Sequence, residues 1–536
     1  MRNNYLLALF SAFLLWFAWP PIPYSSPLLL IAFVPLLVAI EQVIRGTYPR
    51  KGRKVFLLSF VTGVVWNTAS IYWVYNAMNA YLPAGVSVLI ALIPFCLAPL
   101  LMACAFRGYY ALRKKWNIWI SFVGLVSFWI AYEYLHQTWD LAFPWMTLGN
   151  GFASAHQLVQ WYEYTGAYGG TLWIWIANIL SFLIFWQYKV KVSAYAQSRL
   201  IGLLAAIVLI PMGYSILRYT QYEEHINPSE IVVVQPNIDP YQKFGSITPN
   251  QQLDILLNLS RQVAKPNTEF FVWPETAISS PNGINEDDFR EYPAYHRIFE
   301  FLNEYRNGNV LSGIESYRIY PDQQSITARK YNEGVFIDHF NAAVLIDQSS
   351  KLEFYHKSKL VPGVEQLPFG EILAFMKPLF AHFGGTTGGY GSQLEPSVLY
   401  SQSGIGAAPV ICYESIYGNY VAKYIEDGAQ FIAIVTNDGW WSDTSGKDQH
   451  FQYARLRAIE NRRWVVRSAN TGISGFINQR GDVVQKSEWW VPAALSQEIN
   501  LNEDLTFYTQ FKDLIVYTFL LLGLMSVILL LVRRTR

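Results

Sequence analysis

The sequence predicts two fold classes in one chain: an α-helical membrane block of eight spans, and an α/β layered domain placed before the last span. Three observations predict them. First, residues 1–217 carry only 13 Lys+Arg and 4 Asp+Glu, about 8% charged residues, far below the share of about 25% usual in soluble domains. Second, that block breaks into apolar runs of about 20 residues, the length needed to cross a hydrocarbon core. Third, residues 218–512 hold 24 basic and 34 acidic groups, and β-branched runs there alternate with amphipathic stretches. The net charge of +1 over 536 residues therefore hides a basic block followed by an acidic one. A disordered chain, a disulfide-built module (3 Cys) and a basic nucleic-acid binder are excluded.

The expected spans are 4–22, 27–44, 55–76, 84–106, 117–136, 168–187, 200–217 and 514–532. Pro20, Pro21 and Pro23 make the first two a tight hairpin. The first run reads as a span rather than a signal peptide, because no small-residue cleavage site follows it and another apolar run does. With the N-terminus cytoplasmic, 16 Lys and Arg fall on that side, among them Arg45, Arg50, Lys51, Arg113, Lys114 and Arg533. The opposite connections, 23–26, 77–83 and 137–167, have none. Cations near spans resist translocation, so both termini are expected in the cytoplasm and residues 218–512 outside it. Glu133 and His136 are expected at an interface, satisfied by water or headgroups. The connection 143–150, with Trp139 and Trp161, is expected in an aromatic belt.

In the acidic domain, strands are expected at 230–235, 269–273, 308–314, 332–338, 342–347, 351–356, 407–412, 431–436, 464–469 and 474–479. Helices are expected at 249–264, 287–306, 415–426 and 447–460. Alternating strands and helices, with a hairpin pair in the middle, argue for a large buried sheet. Three strand ends carry chemistry. Pro274 is expected to stop a strand and present Glu275 at the rim. Lys357 follows a strand, and Cys412 sits at a strand-to-helix elbow. A positive helix end beside the sulfur is expected to favour the thiolate. Cys96 and Cys104 fall in the fourth span, which leaves Cys412 without a disulfide partner in its domain.

These pieces resemble the carbon–nitrogen hydrolase (nitrilase) superfamily and, with the membrane block, its membrane-bound branch, the apolipoprotein N-acyltransferases. WPET supplies Glu275, HKSKLVPGVE supplies Lys357 and Glu365, and CYE supplies Cys412, Tyr413 and Glu414. TNDGWW (436–441), QHFQYARLRAIENRR (449–463) and RSANTGISG (467–475) match as well. The family's LVPFGE reads LVPGVEQLPFGE here, so the second glutamate is Glu365 by spacing from Lys357 or Glu371 by its PFGE context; spacing favours Glu365.

The resemblance implies an α-β-β-α sandwich with a Glu275–Lys357–Cys412 triad, supported by Glu365, Tyr413 and Glu414. It implies ping-pong acyl transfer from a phospholipid, through a Cys412 thioester, to the amino group of an S-diacylglyceryl-cysteine on an apolipoprotein. Trp440 and Trp441 would line the acyl chain, as would the Gly-rich stretch 382–393, with Glu371 also at the substrate. No cofactor, metal or nucleic acid is expected, and the enzyme would act as a monomer in a bacterial inner membrane. The expected domains are 1–217, 218–512 and 513–536. A membrane-tethered amidase, with water replacing the amine, would use the same three groups.

Overall fold

The computed structural model describes residues 2–79, 83–191, 193–240, 243, 247–349, 351–370 and 389–532. The chain divides into a helical unit, 1–221 with 511–536, and a second unit, 222–510.

Among the described residues of the helical unit, seven helical segments are long and apolar enough to cross a membrane: Ser26–Arg45, Lys51–Ile71, Ala84–Arg113, Ile118–Thr138, Tyr162–Lys189, Ala194–Gln221 and Leu514–Leu531. The expected first span is a shorter apolar helix, Asn3–Phe17. Glu133 corrects the interface expectation. Its carboxylate is buried and accepts from Trp129 Nε1 (2.9 Å), Leu148 N (2.8 Å) and Thr171 Oγ1 (2.9 Å). A carboxylate removed from water needs internal donors, and these come from its own helix and two neighbouring segments. The connection expected in an aromatic belt instead folds inward as two 3₁₀ turns, Pro144–Met146 and Leu148–Leu158, burying Trp145 and Phe152. Gly149 is required there, since a Cβ would lie 1.8 Å from Ala167 O.

The second unit has fourteen strands among the described residues. The first seven are β1 Pro228–Gln235, β2 Thr268–Ile278, β3 Ile284–Asn285, β4 Asn309–Tyr320, β5 Arg329–Asn332, β6 Val335–Ile346 and β7 Glu353–His356. The rest are β8 Leu399–Tyr400, β9 Gly406–Ile411, β10 Phe431–Thr436, β11 Val465–Ala469, β12 Gly475–Ile477, β13 Val483–Lys486 and β14 Ala493–Asn500. One sheet runs β14-β1-β2-β4-β6-β5, with β3 beside β4 and β7 beside β6; the other runs β13-β12-β11-β10-β9-β8. The centres, β1-β2-β4 and β9-β10-β11, are parallel, while β14 returns antiparallel along β1.

Alternation explains the layers. Val232, Val234, Phe271 and Trp273 face outward against Leu253, Leu256 and Leu257 of helix Pro249–Val263 and Ile298 and Phe301 of helix Pro293–Leu302. The alternate residue Phe270 meets Phe431 of the other sheet edge-on at 5.1 Å. Helices Gly418–Glu426 and Ser445–Asn461 accompany the second sheet, completing the α-β-β-α order.

Three sequence expectations are corrected here. Pro274 does not stop a strand: β2 continues to Ile278, with its register to β4 shifting between Trp273 and Ile278. A bulge releases the ladder bond that proline cannot donate. The expected strands 332–338 and 342–347 are one strand, β6, paired with β4 along its length. The helix expected at 287–306 is confined to Pro293–Leu302, entered at a proline that suits a first helical turn.

Candidate active site

The site gathers where the parallel strands of both sheets end, the usual crevice of such sheets. Glu275 leaves the β2 bulge, in which Thr276 has φ +50°. The bulge lies hard against β4. A Cβ on Gly313 would come within 2.5 Å of Thr276 N and 2.6 Å of Glu275 Cα, so only glycine lets the two strands approach this closely. From the other side the buried Lys243 donates to the Thr276 carbonyl and, at 2.7 Å, to its hydroxyl. Burial pushes Lys243 down to about 8, against the pull of Glu315 and Glu275.

Lys357 follows β7, its N–H donating to Asn341 O at 2.9 Å. Its ammonium is 1% exposed and sits between two carboxylates, 3.2 Å from Glu275 Oε1 and 2.8 Å from Glu365 Oε1. Burial alone would lower Lys357, but Glu275, Glu365 and the Cys412 sulfur outweigh it and hold the ammonium well above its ordinary value. Asn341 Nδ2 joins the same two oxygens at 2.8 and 2.9 Å, and Glu365 Oε2 accepts from Val361 N at 2.8 Å. The structure thus brings Glu275, Lys357 and Glu365 together, while Glu371 and residues 382–388 lie outside the described residues.

Cys412 begins a 3₁₀ turn, Cys412–Ile416, immediately after β9, and is itself left-handed at φ +50°. The residue as a whole is half-buried. The expectation of a favoured thiolate is corrected. Burial first and the Glu275 charge second push the thiol well up, and Lys357 only partly offsets them. A five-residue 3₁₀ turn is too weak a dipole to reverse that direction.

Glu414 is fully buried and turned onto backbone donors: Ile411 N (2.8 Å), Ser358 N (2.7 Å) and Lys359 N (3.2 Å), with the Tyr355 hydroxyl at 2.6 Å. It therefore ties the segment after Lys357 to the turn that carries Cys412. Tyr413 is buried against Tyr417, ring centroids 5.5 Å apart. Trp440 and Trp441 end the 3₁₀ turn Asp438–Trp441; both are half-buried, and Trp441 meets His450 at 5.4 Å.

Sequence reading missed Asn341, Gly313 and Lys243. For Asn341 a signal existed, an amide interrupting the apolar run of β6 (FNAAVLI). A fourth carboxylate, Glu315, pairs in register with Asn341 and accepts from the Tyr390 hydroxyl at 3.3 Å.

Two facing sheets with a thiol, an ammonium and paired carboxylates gathered at their strand ends define the class: α-β-β-α sandwich proteins with a cluster of ionisable groups beside a cysteine. The carbon–nitrogen hydrolase profile matches residues 231–503, about half of the chain, and the chain belongs to that family. The profile of the apolipoprotein N-acyltransferase N-terminal domain matches residues 11–180. Among curated relatives, the apolipoprotein N-acyltransferase of Chlorobaculum tepidum is 28% identical, over 96% of this chain and 94% of that one. That of Geobacter metallireducens is also 28% identical, over 96% and 93%. Among solved structures, an amidase from Nesterenkonia sp. is similar at 15% identity and TM-score 0.35, covering 54% of this chain and 95% of its own. Saccharomyces cerevisiae Nit3, a nitrilase-superfamily member, is similar at 14% identity and TM-score 0.36, over 53% and 94%.

Proposed function

We propose that the chain N-acylates lipoproteins, moving an acyl chain from a phospholipid through a Cys412 thioester to the N-terminal amine of an S-diacylglyceryl-cysteine on an apolipoprotein. The observation that carries this reading is the Glu275–Lys357–Glu365 cluster electrostatically coupled to Cys412, in a chain whose described residues also hold seven long apolar helices. The raised thiol calls for a base. Glu275 takes the Cys412 proton as sulfur attacks the ester carbonyl, and Lys357 with the Tyr413 N–H receives the negative oxygen. The proton passes to the leaving alkoxide, and lysophospholipid departs. The acceptor amine then attacks the thioester, Glu275 takes its proton, and the amide forms as the thiol is restored. Amide formation from a thioester is downhill and draws on no nucleotide.

The charge asymmetry of the connections supports eight spans, cytoplasmic termini and a periplasmic catalytic domain in a bacterial inner membrane. Expected domain limits of 1–217, 218–512 and 513–536, and action as a monomer, complete the proposal. Incubating the purified protein with phospholipid and a diacylglyceryl peptide tests it. N-acyl peptide is the expected product; ammonia released from added small amides, or no product at all, would refute the reading.

A further inference from the structure

Trp440 and Trp441 apart, three motifs have no task in this mechanism, TNDGWW, QHFQYARLRAIENRR and RSANTGISG, and they converge behind Cys412. They supply Thr436 and Asp438, His450, and Arg467, all of them fully buried. Arg467 donates to Asp438 Oδ2, and the Thr436 hydroxyl donates to Oδ1 at 2.9 Å. Burial would raise Asp438, but Arg467 and His450 hold its carboxyl well below the usual carboxylate range. His450 Nδ1 lies between Asp438 Oδ1 (3.0 Å) and the Arg467 guanidinium (3.1 Å), so the ring is gripped from behind in either protonation state. Its other nitrogen, Nε2, is 2.7 Å from Ser415 Oγ and 3.2 Å from the Cys412 carbonyl oxygen. Ser415 donates its hydroxyl to that same carbonyl at 2.8 Å.

The carbonyl of Cys412 and the N–H of Tyr413 belong to one planar peptide unit and point in opposite directions. Holding the oxygen on one side aims the N–H to the other. Hydrogen bonds to that carbonyl also polarise the amide and strengthen its N–H as a donor. Left-handed backbone at a non-glycine residue needs such support, since it costs of order 1–3 kcal/mol.

We propose that His450 and Ser415, anchored by Asp438 and Arg467, are positioning residues that orient the Cys412–Tyr413 peptide so that the Tyr413 N–H faces the developing oxyanion. The proposal rests on Cys412 being the nucleophile. It separates two reactions of the same sulfur. Acylation passes through a tetrahedral oxyanion, whereas alkylation by iodoacetamide does not.

The test uses the full-length protein in phospholipid-containing micelles, with Ser415→Ala, His450→Ala and His450→Gln. The rate of acyl-Cys412 formation is expected to fall about 10-fold in Ser415→Ala and about 100-fold in His450→Ala, at near-constant KM, as for loss of oxyanion donors. Alkylation of Cys412 should stay within about twofold, since it needs no oxyanion donor. His450→Gln should recover part of the loss through its amide N–H. Should His450→Ala fail to fold, Ser415→Ala removes one oxygen and decides the matter. Unchanged acylation in a folded variant, or acylation and alkylation falling together, would overturn this positioning role. Transfer surviving Cys412→Ala would instead overturn the nucleophile assignment itself.

Discussion

At the bulge in β2 and just past the end of β9 the chain takes the same unusual step: Thr276 and Cys412, neither a glycine, both sit at φ +50°. The two places are held by opposite means. Beside Glu275 the bulge is wedged against Gly313, where no side chain fits. At Cys412 the turn is tied by hydrogen bonds, through Glu414 on one side and Ser415 with His450 on the other. One depends on atoms that are missing and the other on atoms that are present. The first should break by adding a methyl group, the second by removing a polar group.

The largest effect is expected at the sulfur. Cys412→Ala should abolish transfer and the acyl adduct seen by intact-mass measurement, since truncating a covalent nucleophile commonly costs about 10⁴-fold or more. Lys357→Ala should slow acyl-enzyme formation about 100- to 1000-fold while the protein still folds, the usual cost of one oxyanion donor. Glu365→Ala should follow it in direction, because Glu365 holds the ammonium at 2.8 Å. Glu371→Ala should lower the rate less than Glu365→Ala; the reverse ranking would reassign the second glutamate.

Gly313→Ala tests the wedge. It should lower turnover about 10-fold and stability by roughly 1–3 kcal/mol, as overpacking does, read from kinetics and thermal melts of one preparation. Glu414→Gln tests the tie. It leaves buried N–H groups short of an acceptor, at about 1–3 kcal/mol in a denaturation experiment. The smallest effect is expected from Glu133→Gln in the helical unit, about 1 kcal/mol, with activity following the folded fraction alone. A selective loss of turnover there would give that carboxylate a chemical task.

The β2 bulge and the Cys412 elbow also differ in how far they are legible in the sequence. The elbow at Cys412 could be placed because β-strand, turn and helix signals follow one another within a few residues. The β2 bulge was misread because the fate of Pro274 depends on β4, about forty residues on, whose Gly313 admits the bulge. Asn341 and Lys243 escaped notice for the same reason, since their partners are set by strand register and loop return rather than by neighbours in sequence. The thiol was assigned the wrong direction because the turn's weak dipole is local and visible, while the Glu275 charge arrives through the fold. Glu133 was placed at an interface because its donors, Leu148 and Thr171, lie on other segments. The sandwich itself was legible, since strand alternation and family motifs both bear on it; its closing strand β14, weakly patterned, was not.

That closing strand has a further consequence. β1 and β14 lie side by side from Pro228↔Asn500 to Gln235↔Ala493, and Leu501 N donates to Asn227 O at 2.8 Å. The 222–510 unit is thus entered and left at neighbouring points, the geometry of a module spliced into a host chain. Among the described residues, every strand of its two sheets lies between Pro228 and Asn500. Excised there, the sandwich would need no bridging linker to join its ends into a ring.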